Sequence, residues 1–278
     1  MNVHDFLFWL VSLGSLSPKK RTQLWQLGYQ LTDDDRAKLV YTLSRQGKVQ
    51  APNQLLIDQL KSQQYVSILD DHYPRLLKEI AQPPLVLFYR GDISLLKQKS
   101  VAIVGSRKHT SYGAMLIQRW IPEIVKKDIV TISGAAIGVD GLVHKATLAA
   151  KGKTIAVLGH GFSHAYPKEH YGLLHMIAKQ GLVVTEYAPW MVPKSWRFPE
   201  RNRIVVGLTQ DVWVVEAQCN SGSLVSANIA LDENREVWCV PGDISRTQSQ
   251  GTNQLFQDGA NVLLDVFSLV ESIEKADG

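Results

Sequence analysis

The feature that most restricts the fold is an alternation of strand-like and helix-like stretches from Val101 onward. It begins at residues 101–107, VAIVGSR, where four apolar residues run uninterrupted into Gly105-Ser106-Arg107. Continuous apolarity suits a strand covered on both faces, as in a parallel sheet flanked by helices. A helical pattern follows over residues 112–125, with Leu116, Ile117, Trp120, Ile121, Ile124 and Val125 at helical spacing. The order then repeats. VTISG (130–134) precedes a helix near 141–150, TIAVLG (154–159) one near 171–178, and LVVTEYA (182–188) a helix in FPERNRIVVGL. DVWVVEA (211–217), expected as a central strand, precedes a helix in SGSLVSANIAL; EVWCVPG, a helix around 253–258, the strand NVLLD and a terminal helix complete the series. Such repetition predicts an α/β fold built on a doubly wound, mostly parallel sheet.

The residues ahead of this alternation read differently. Phe6, Leu7, Leu10 and Val11 share a helical face, and Leu24, Leu27, Leu39, Val40, Leu43, Leu55, Ile57 and Leu60 mark further short helices. Thr32 is placed to cap the helix that runs through Leu43. Residues 13–21 suit a polar turn between packed helices, or a helix-turn-helix presenting amides to a DNA phosphate. VSILD (66–70) and PPLVLFYRGD (83–92) read as short strands punctuated by Pro83-Pro84. The expected division is a separate helical unit over 1–63 and a sheet domain over 64–278.

Composition bounds the class. With 278 residues, 45% hydrophobic and 20% charged, the chain suits a soluble globular protein, and a net charge of +4 is a mild bias. Cys219 and Cys239 lie in apolar segments without CxxC spacing, so both are expected as buried thiols in a reducing compartment, with a disulfide left open. The apolar run at 6–13 is too short to span a membrane and lacks the flanks of a signal peptide. The expected location is the cytoplasm, with no membrane partner.

Chemistry concentrates where strands end. Gly105-Ser106-Arg107, the stretch SGAAIGVD (133–140) and Asn220-Ser221-Gly222-Ser223 each place small residues before a helix, a setting that favours anions such as phosphate. They converge on one rim if their strands are neighbours. The same residues also suit tight strand-to-helix turns with a solvated Arg107. No Walker A or GxGxxG pattern is present. Residues 194–203 set Lys194, Arg197, Arg201 and Arg203 against Glu200, with Trp190, Trp196 and Phe198 interleaved. Cations that track a backbone and rings that stack on bases are what single-stranded nucleic acid needs. Neutralising about four phosphates predicts a slope of log K against log salt of about −3. His160, His164, His170 and His175 lack metal-site spacing and are expected at the surface or in loops, so no metal is assigned. Glu216 and Asp140 are candidates for general acids, or for ordering their loops through buried hydrogen bonds.

The series VAIVGSR, SGAAIGVDGLVH, IAVLGHG…YP, TEYAP, FPERNRIVVGL, VVEA…SGSL…A, VPG and SQGTNQLFQDGA, over roughly 66–264, closely resembles the DprA (Smf) family. The resemblance implies a single-stranded DNA-binding protein of natural transformation that protects incoming DNA and helps load the RecA recombinase. It also implies an extended Rossmann-like fold with a small N-terminal all-helical (SAM/HhH-like) domain, a homodimer, no cofactor and no catalytic turnover. The family's DNA contacts fall on Ser106, Arg107, Lys168 and residues 198–203. With the turns above, the candidate single-stranded DNA site comprises Gly105, Ser106, Arg107, Lys168, Lys194, Arg197, Phe198, Arg201, Asn202, Arg203, Ser221, Gly222 and Ser223.

Members often carry Asp where Ser163 stands and Asn near His170, and many end in a winged helix, for which the residues after Leu264 leave no room beyond a helix. Leu255, Phe256, Val266, Leu269 and Val270 offer apolar surface for a dimer or for packing on the sheet. The alternative is a nucleotide-processing phosphoribohydrolase of the lysine-decarboxylase-like group. That chemistry needs a PGGxGTxxE motif, and EAQCNSGSLVSA here lacks the paired glycines and the terminal Glu.

Overall fold

The computed structural model describes residues 1–275; the last three residues of the expected sheet domain, 276–278, lie outside the described residues. The chain opens with four helices, α1 (Val3–Ser12), α2 (Pro18–Tyr29), α3 (Asp33–Arg45) and α4 (Gln54–Lys61). Each starts at a polar cap whose side chain accepts the amide three residues on. Thr32 does so for Asp35, as its position predicts, and Ser17 ahead of Pro18 does so for Lys20. Residues 13–17 are therefore a turn that ends in this cap, and 18–21 form the first turn of α2.

One expectation for this region needs correction. Helix α1 does not bury one face only: Phe6, Leu7, Phe8, Trp9 and Leu10 are all fully buried. A helix apolar all round must be enclosed, and α2, α3 and α4 enclose it together with Leu85, Val86 and Phe88 of the sheet region. The helices share one apolar cluster with the sheet's antiparallel margin.

Nine strands then form one sheet: β1 (Tyr65–Ser67), β2 (Val86–Gly91), β3 (Ser100–Val104), β4 (Val130–Ser133), β5 (Thr154–Val157), β6 (Leu182–Thr185), β7 (Asp211–Val214), β8 (Glu236–Cys239) and β9 (Asn261–Val262). Their spatial order is β1-β2-β6-β5-β4-β3-β7-β8-β9. From β6 to β9 every pairing is parallel; β1 and β2 attach antiparallel beyond β6. The helix α5 (Arg75–Glu79) lies between β1 and β2. From β3 the chain steps outward to β4, β5 and β6 through α6 (Ser111–Val125), α7 (Val139–Ala149) and α8 (Tyr171–Gln180). It returns through α9 (Arg197–Gly207) to lay β7 on the other side of β3. The remaining helices are α10 (Gly222–Asp232), α11 (Thr247–Gln257) and α12 (Val266–Lys275). The fold is thus a mixed α/β, Rossmann-like one, and the strand order reverses between β3 and β7.

Both faces are covered. Val101, Ile103 and Trp213 pack under α6, α7 and α12, while Ala102, Val104, Val212 and Val214 pack under α9, α10 and α11. This double coverage is why VAIV and DVWV carry no alternation. Leu255, Val266, Leu269 and Val270 are buried in these layers and Phe256 is partly buried; they pack on the sheet and are not free for a dimer contact. Cys239 is buried in β8, which pushes its thiol up to about 12. Cys219 is exposed, contrary to expectation, because β7 ends at Val214 and the chain has already turned out of the layer.

A polar thread runs inside the sheet. The fully buried His144 ring on α7 meets Thr154 Oγ1 at 2.7 Å, and the Thr131 hydroxyl donates to that of Thr154 at 2.8 Å. Burial first, and then the neighbouring His170 and Arg201, lower the His144 pKa from 6.5 to about 3. Below pH 6.5 the unfolded chain gains a proton at this site that the folded chain refuses. Stability from this residue is therefore present above pH 6.5 and declines as pH falls toward 3, by about 1.4 kcal/mol per pH unit. Denaturant unfolding between pH 7 and pH 5 should show this decline, and His144→Gln should flatten it.

Candidate nucleic-acid interface

The order reversal between β3 and β7 dictates where a ligand can enter, because crossovers leave these two strands on opposite faces and open a crevice at their carboxyl ends. A cavity of about 500 Å³ occupies it. The turn after β3 lines one side, with Gly105, Ser106, Arg107 and Lys108. The turn after β7 lines another, with Ser221, Gly222 and Ser223 at the start of α10. Gly134, Ala136 and Asp140 close the floor from the turn after β4, and Phe198, Arg201 and Asn202 descend from α9. Three turns expected to converge do so, since β4, β3 and β7 are consecutive in the sheet.

Close approach between these turns needs glycine at Gly138. Its φ is +96°, and a Cβ there would collide with the Ser106 carbonyl oxygen and the Arg107 backbone. The Val139 amide at the head of α7 donates to Ser106 O at 3.1 Å, and the Lys108 amide donates to Ser106 Oγ at 3.0 Å. Ser221 caps α10 by accepting the Leu224 amide at 3.3 Å. The Gly222 and Ser223 amides lie in the first turn of α10, where helical amides have no acceptor within the helix. Glu216 accepts from the Thr110 amide at 2.9 Å and from the Thr110 hydroxyl, and Thr110 in turn caps α6. Glu216 thus orders the far end of the Arg107 loop and does not line the cavity.

Arg107 is exposed and pairs with no carboxylate among the described residues. Its guanidinium lies 5.9 Å from the centre of the Phe198 ring. The ring itself is half-buried: it leans on Gly159 and on Tyr166, whose ring centre is 5.1 Å away at 32°. Arg107, Phe198 and Tyr166 also frame a second cavity of about 50 Å³ next to the first. Asp140 accepts the Ala136 amide at 3.2 Å. Burial raises its pKa against the opposing pull of Arg201, which limits the repulsion it offers an anion.

The basic stretch at 194–203 is largely turned inward, which corrects the expectation of a cationic track. Arg201 lines the cavity, but its guanidinium donates to the carbonyls of Gly134 and Val157 and is only 3% exposed with the rest of its side chain. Arg197 donates to Val192 O. Arg203 pairs with Glu186 at 2.8 Å, and Arg21 of α2 meets the same carboxylate oxygen at 3.2 Å. These residues form a helix, so those not facing the groove face the core. Lys194 is exposed outside the cavity with its ammonium 4.7 Å from the Trp196 ring centre. Lys168 is exposed beyond the rim. The residues missed in the sequence are Lys108 and Tyr166. Adjacency to Arg107 was the available signal for the first, and position beside Pro167 for the second.

Two of the histidines lie in a loop and a short turn but not at the surface. His160 and His170 are buried, with ring nitrogens facing the carbonyls of Gly161, Tyr166 and Ala135 at 2.9–3.2 Å. No group of three or more potential metal ligands occurs among the described residues.

Arg203→Met should cost about 3 kcal/mol, the low end for breaking a buried pair because Arg21 still faces Glu186. Thermal melting measures this, and a change under 1 kcal/mol would mean that the guanidinium is not held as described.

The model of the DNA recombination-mediator protein A family matches residues 64–274. The DNA processing protein DprA of Bacillus subtilis is 40% identical over 209 residues, covering 75% of this chain and 70% of that protein. Its Streptococcus pneumoniae counterpart is 43% identical over 197 residues, covering 71% and 70%. The X-ray structure of the S. pneumoniae protein superposes with a TM-score of 0.85 at 33% identity, over 96% of this chain and 97% of that one. A structure of DNA processing protein A from Helicobacter pylori, described for its single-stranded DNA binding mode, gives a TM-score of 0.69 at 28% identity, over 77% and 98%. With the family pattern spanning the whole sheet and the crevice it builds, the chain belongs to the DNA recombination-mediator protein A (DprA/Smf) family.

Proposed function

We propose that this protein binds single-stranded DNA in the crevice between β3 and β7, protecting the strand and passing it to the RecA recombinase as a homodimer. The observation that carries this reading is Arg107: an exposed guanidinium with no carboxylate partner among the described residues, set beside the Phe198 ring over a cavity that two helix N-termini face. A guanidinium grips a phosphate bidentately, and a ring at the same mouth stacks on a base only when that base is unpaired. The Helicobacter relative's binding mode points the same way. The reading includes residues 1–63 as a helical unit docked on 64–278, and involves neither a cofactor nor catalytic turnover. No described helix is long and apolar enough to cross a membrane; a cytoplasmic location belongs to the proposal.

A gel-shift series with single- and double-stranded oligonucleotides of equal length tests it, and preferential binding of the single strand is expected. Arg107→Ala should weaken that binding about tenfold, or about 1.4 kcal/mol, with an unchanged melting temperature. Unchanged affinity would remove Arg107 from the site.

With most of the arginines turned inward, the reachable cations at the mouth are Arg107, Lys108 and Lys168. The slope of log K against log salt should therefore be near −2, shallower than the basic stretch alone implied, at about −0.7 for each of three phosphates. Phe198→Leu keeps the apolar contact with Gly159 and removes the stacking face. It should lower single-strand affinity about tenfold, consistent with the 1–3 kcal/mol that a stacked base contributes, and leave duplex affinity as it was.

A further inference from the structure

We propose that the single strand leaves the crevice along the outer face of α8, over a stripe formed by Lys168, Tyr171, His175 and Lys179. The inference rests on the crevice being the DNA site.

The stripe follows from how α8 is held. Leu173 and Ile177 turn to the sheet, with Leu174 and Ala178 packed beside them. The opposite face is left to water. A 3₁₀ turn, Lys168–His170, runs directly into α8, so Lys168 stands one turn ahead of Tyr171. Steps of three, four and four residues then keep Lys168, Tyr171, His175 and Lys179 on one line. All four are exposed, and the Tyr171 ring is 69% exposed. The ring is left in water between two lysines, while Leu173, Leu174, Ile177 and Ala178 of the same helix are spent on the core.

Charge favours a strand of phosphates on this line. Helix α8 contains no Asp or Glu; Glu169 precedes it in the 3₁₀ turn, one residue off the stripe, and Asp92 stands past its far end, where its amide donates to Gly181 O. At the far end Lys153 reaches the carbonyl of Gln180 at 3.0 Å, adding a cation beside Lys179. Cations spaced along an apolar-aromatic line combine phosphate attraction with a stacking surface, as single strands require.

The stripe is also continuous with the crevice. Tyr166, 44% exposed, packs against Phe198 at the mouth and frames the smaller cavity; Lys168 is two residues further on. A strand whose base stacks at Phe198 therefore meets Tyr166, Lys168 and Tyr171 in turn. From Lys168 to Lys179 the line runs roughly 16 Å at about 1.5 Å per residue. That is room for about five nucleotides at roughly 3.4 Å each.

The test compares a short oligothymidylate, sized to the crevice, with one three times as long. The wild-type protein and the double variant Tyr171→Ala/Lys179→Glu are titrated with both, and His175→Glu serves as an independent second variant. Neither changes a residue assigned to the crevice, and melting temperature checks the fold. The expected result is equal affinity of all proteins for the short oligonucleotide. On the long one, the double variant should lose about tenfold, with a salt slope shallower by about 0.7 for the one lysine removed. Wild-type affinity of both variants for the long oligonucleotide would overturn the path and leave the crevice reading intact; the exposed ring would then serve a protein contact. Equal losses on both lengths would also overturn it, since the substitutions would be acting at the crevice. A wild-type protein that binds neither oligonucleotide would overturn both readings.

Discussion

The structure depends on one buried guanidinium. Arg201 is carried on α9, the helix that brings the chain back across the sheet, and it ends against the carbonyls of Gly134 and Val157 where β4 and β5 stop. Parallel strands leave such carbonyls without ladder partners at their ends, and a dry carbonyl needs a donor. A dry guanidinium carries a penalty of several kcal/mol unless acceptors meet it. Burial accordingly lowers the Arg201 pKa, with Asp140 pulling the other way. Each of these needs offsets the other. The contact also requires Gly134, because a Cβ there would collide with the guanidinium. Once Arg201 is seated, the rest of that helix face is fixed, and Phe198, Asn202 and Val205 line the crevice at spacings of four and three.

Seating α9 this way explains why a chain with so many arginines near its ligand groove offers so few to solvent. Arg203 and Arg197 lie on the side of α9 turned from the groove. For Arg203 burial opposes the charge, but Glu186 outweighs it and holds the guanidinium charged. On the proposed reading, the groove would attract anions through the first-turn amides of α10 and the exposed Arg107, Lys108 and Lys168. Such a site would read the shared backbone of a nucleic acid more than its sequence, since contacts to phosphate carry no sequence information. A net charge of only +4 suits a protein whose attraction is local.

The strands were legible because residues such as Val101–Val104 and Val212–Val214 are apolar without interruption, which few other structures tolerate. The helix α11 was expected only around 253–258 but starts at Thr247. Its first turns, TQSQG, show no apolar period, and packing of Gly251 against Ala217 holds them. Most of the crevice lining was also legible, because Gly105-Ser106-Arg107 and Ser221-Gly222-Ser223 stand where strands end. The inward turn of Arg197, Arg201 and Arg203 was not. Helical spacing shows that they occupy different faces, yet the acceptors lie at Gly134, Val157, Glu186 and Val192. Three of these come together only through the sheet order, which no local pattern encodes. The same limit applies to α1, whose Phe8 and Trp9 are buried by partners remote in sequence.

The end of β6 and the two residues after it gather these remote contacts into three consecutive residues. Thr185 donates its hydroxyl to the His160 carbonyl at 2.9 Å and so fixes the loop that carries Tyr166 and Lys168. Glu186 takes Arg203 from α9 and Arg21 from α2, 165 positions earlier in the chain. The Tyr187 hydroxyl donates to the Arg197 carbonyl at the first turn of α9, at 3.2 Å. Two guanidinium groups share one oxygen of Glu186 while its other oxygen has no hydrogen-bond partner in its buried position. Buried groups of this kind are sensitive to small displacements, since each surviving contact also compensates for the missing one. A shift of α2 relative to the sheet would therefore reach α9 through Glu186, and with it Phe198 at the mouth of the crevice. The N-terminal helices are in this sense part of the frame that aims the ligand-facing side of α9, although none of them lines the groove.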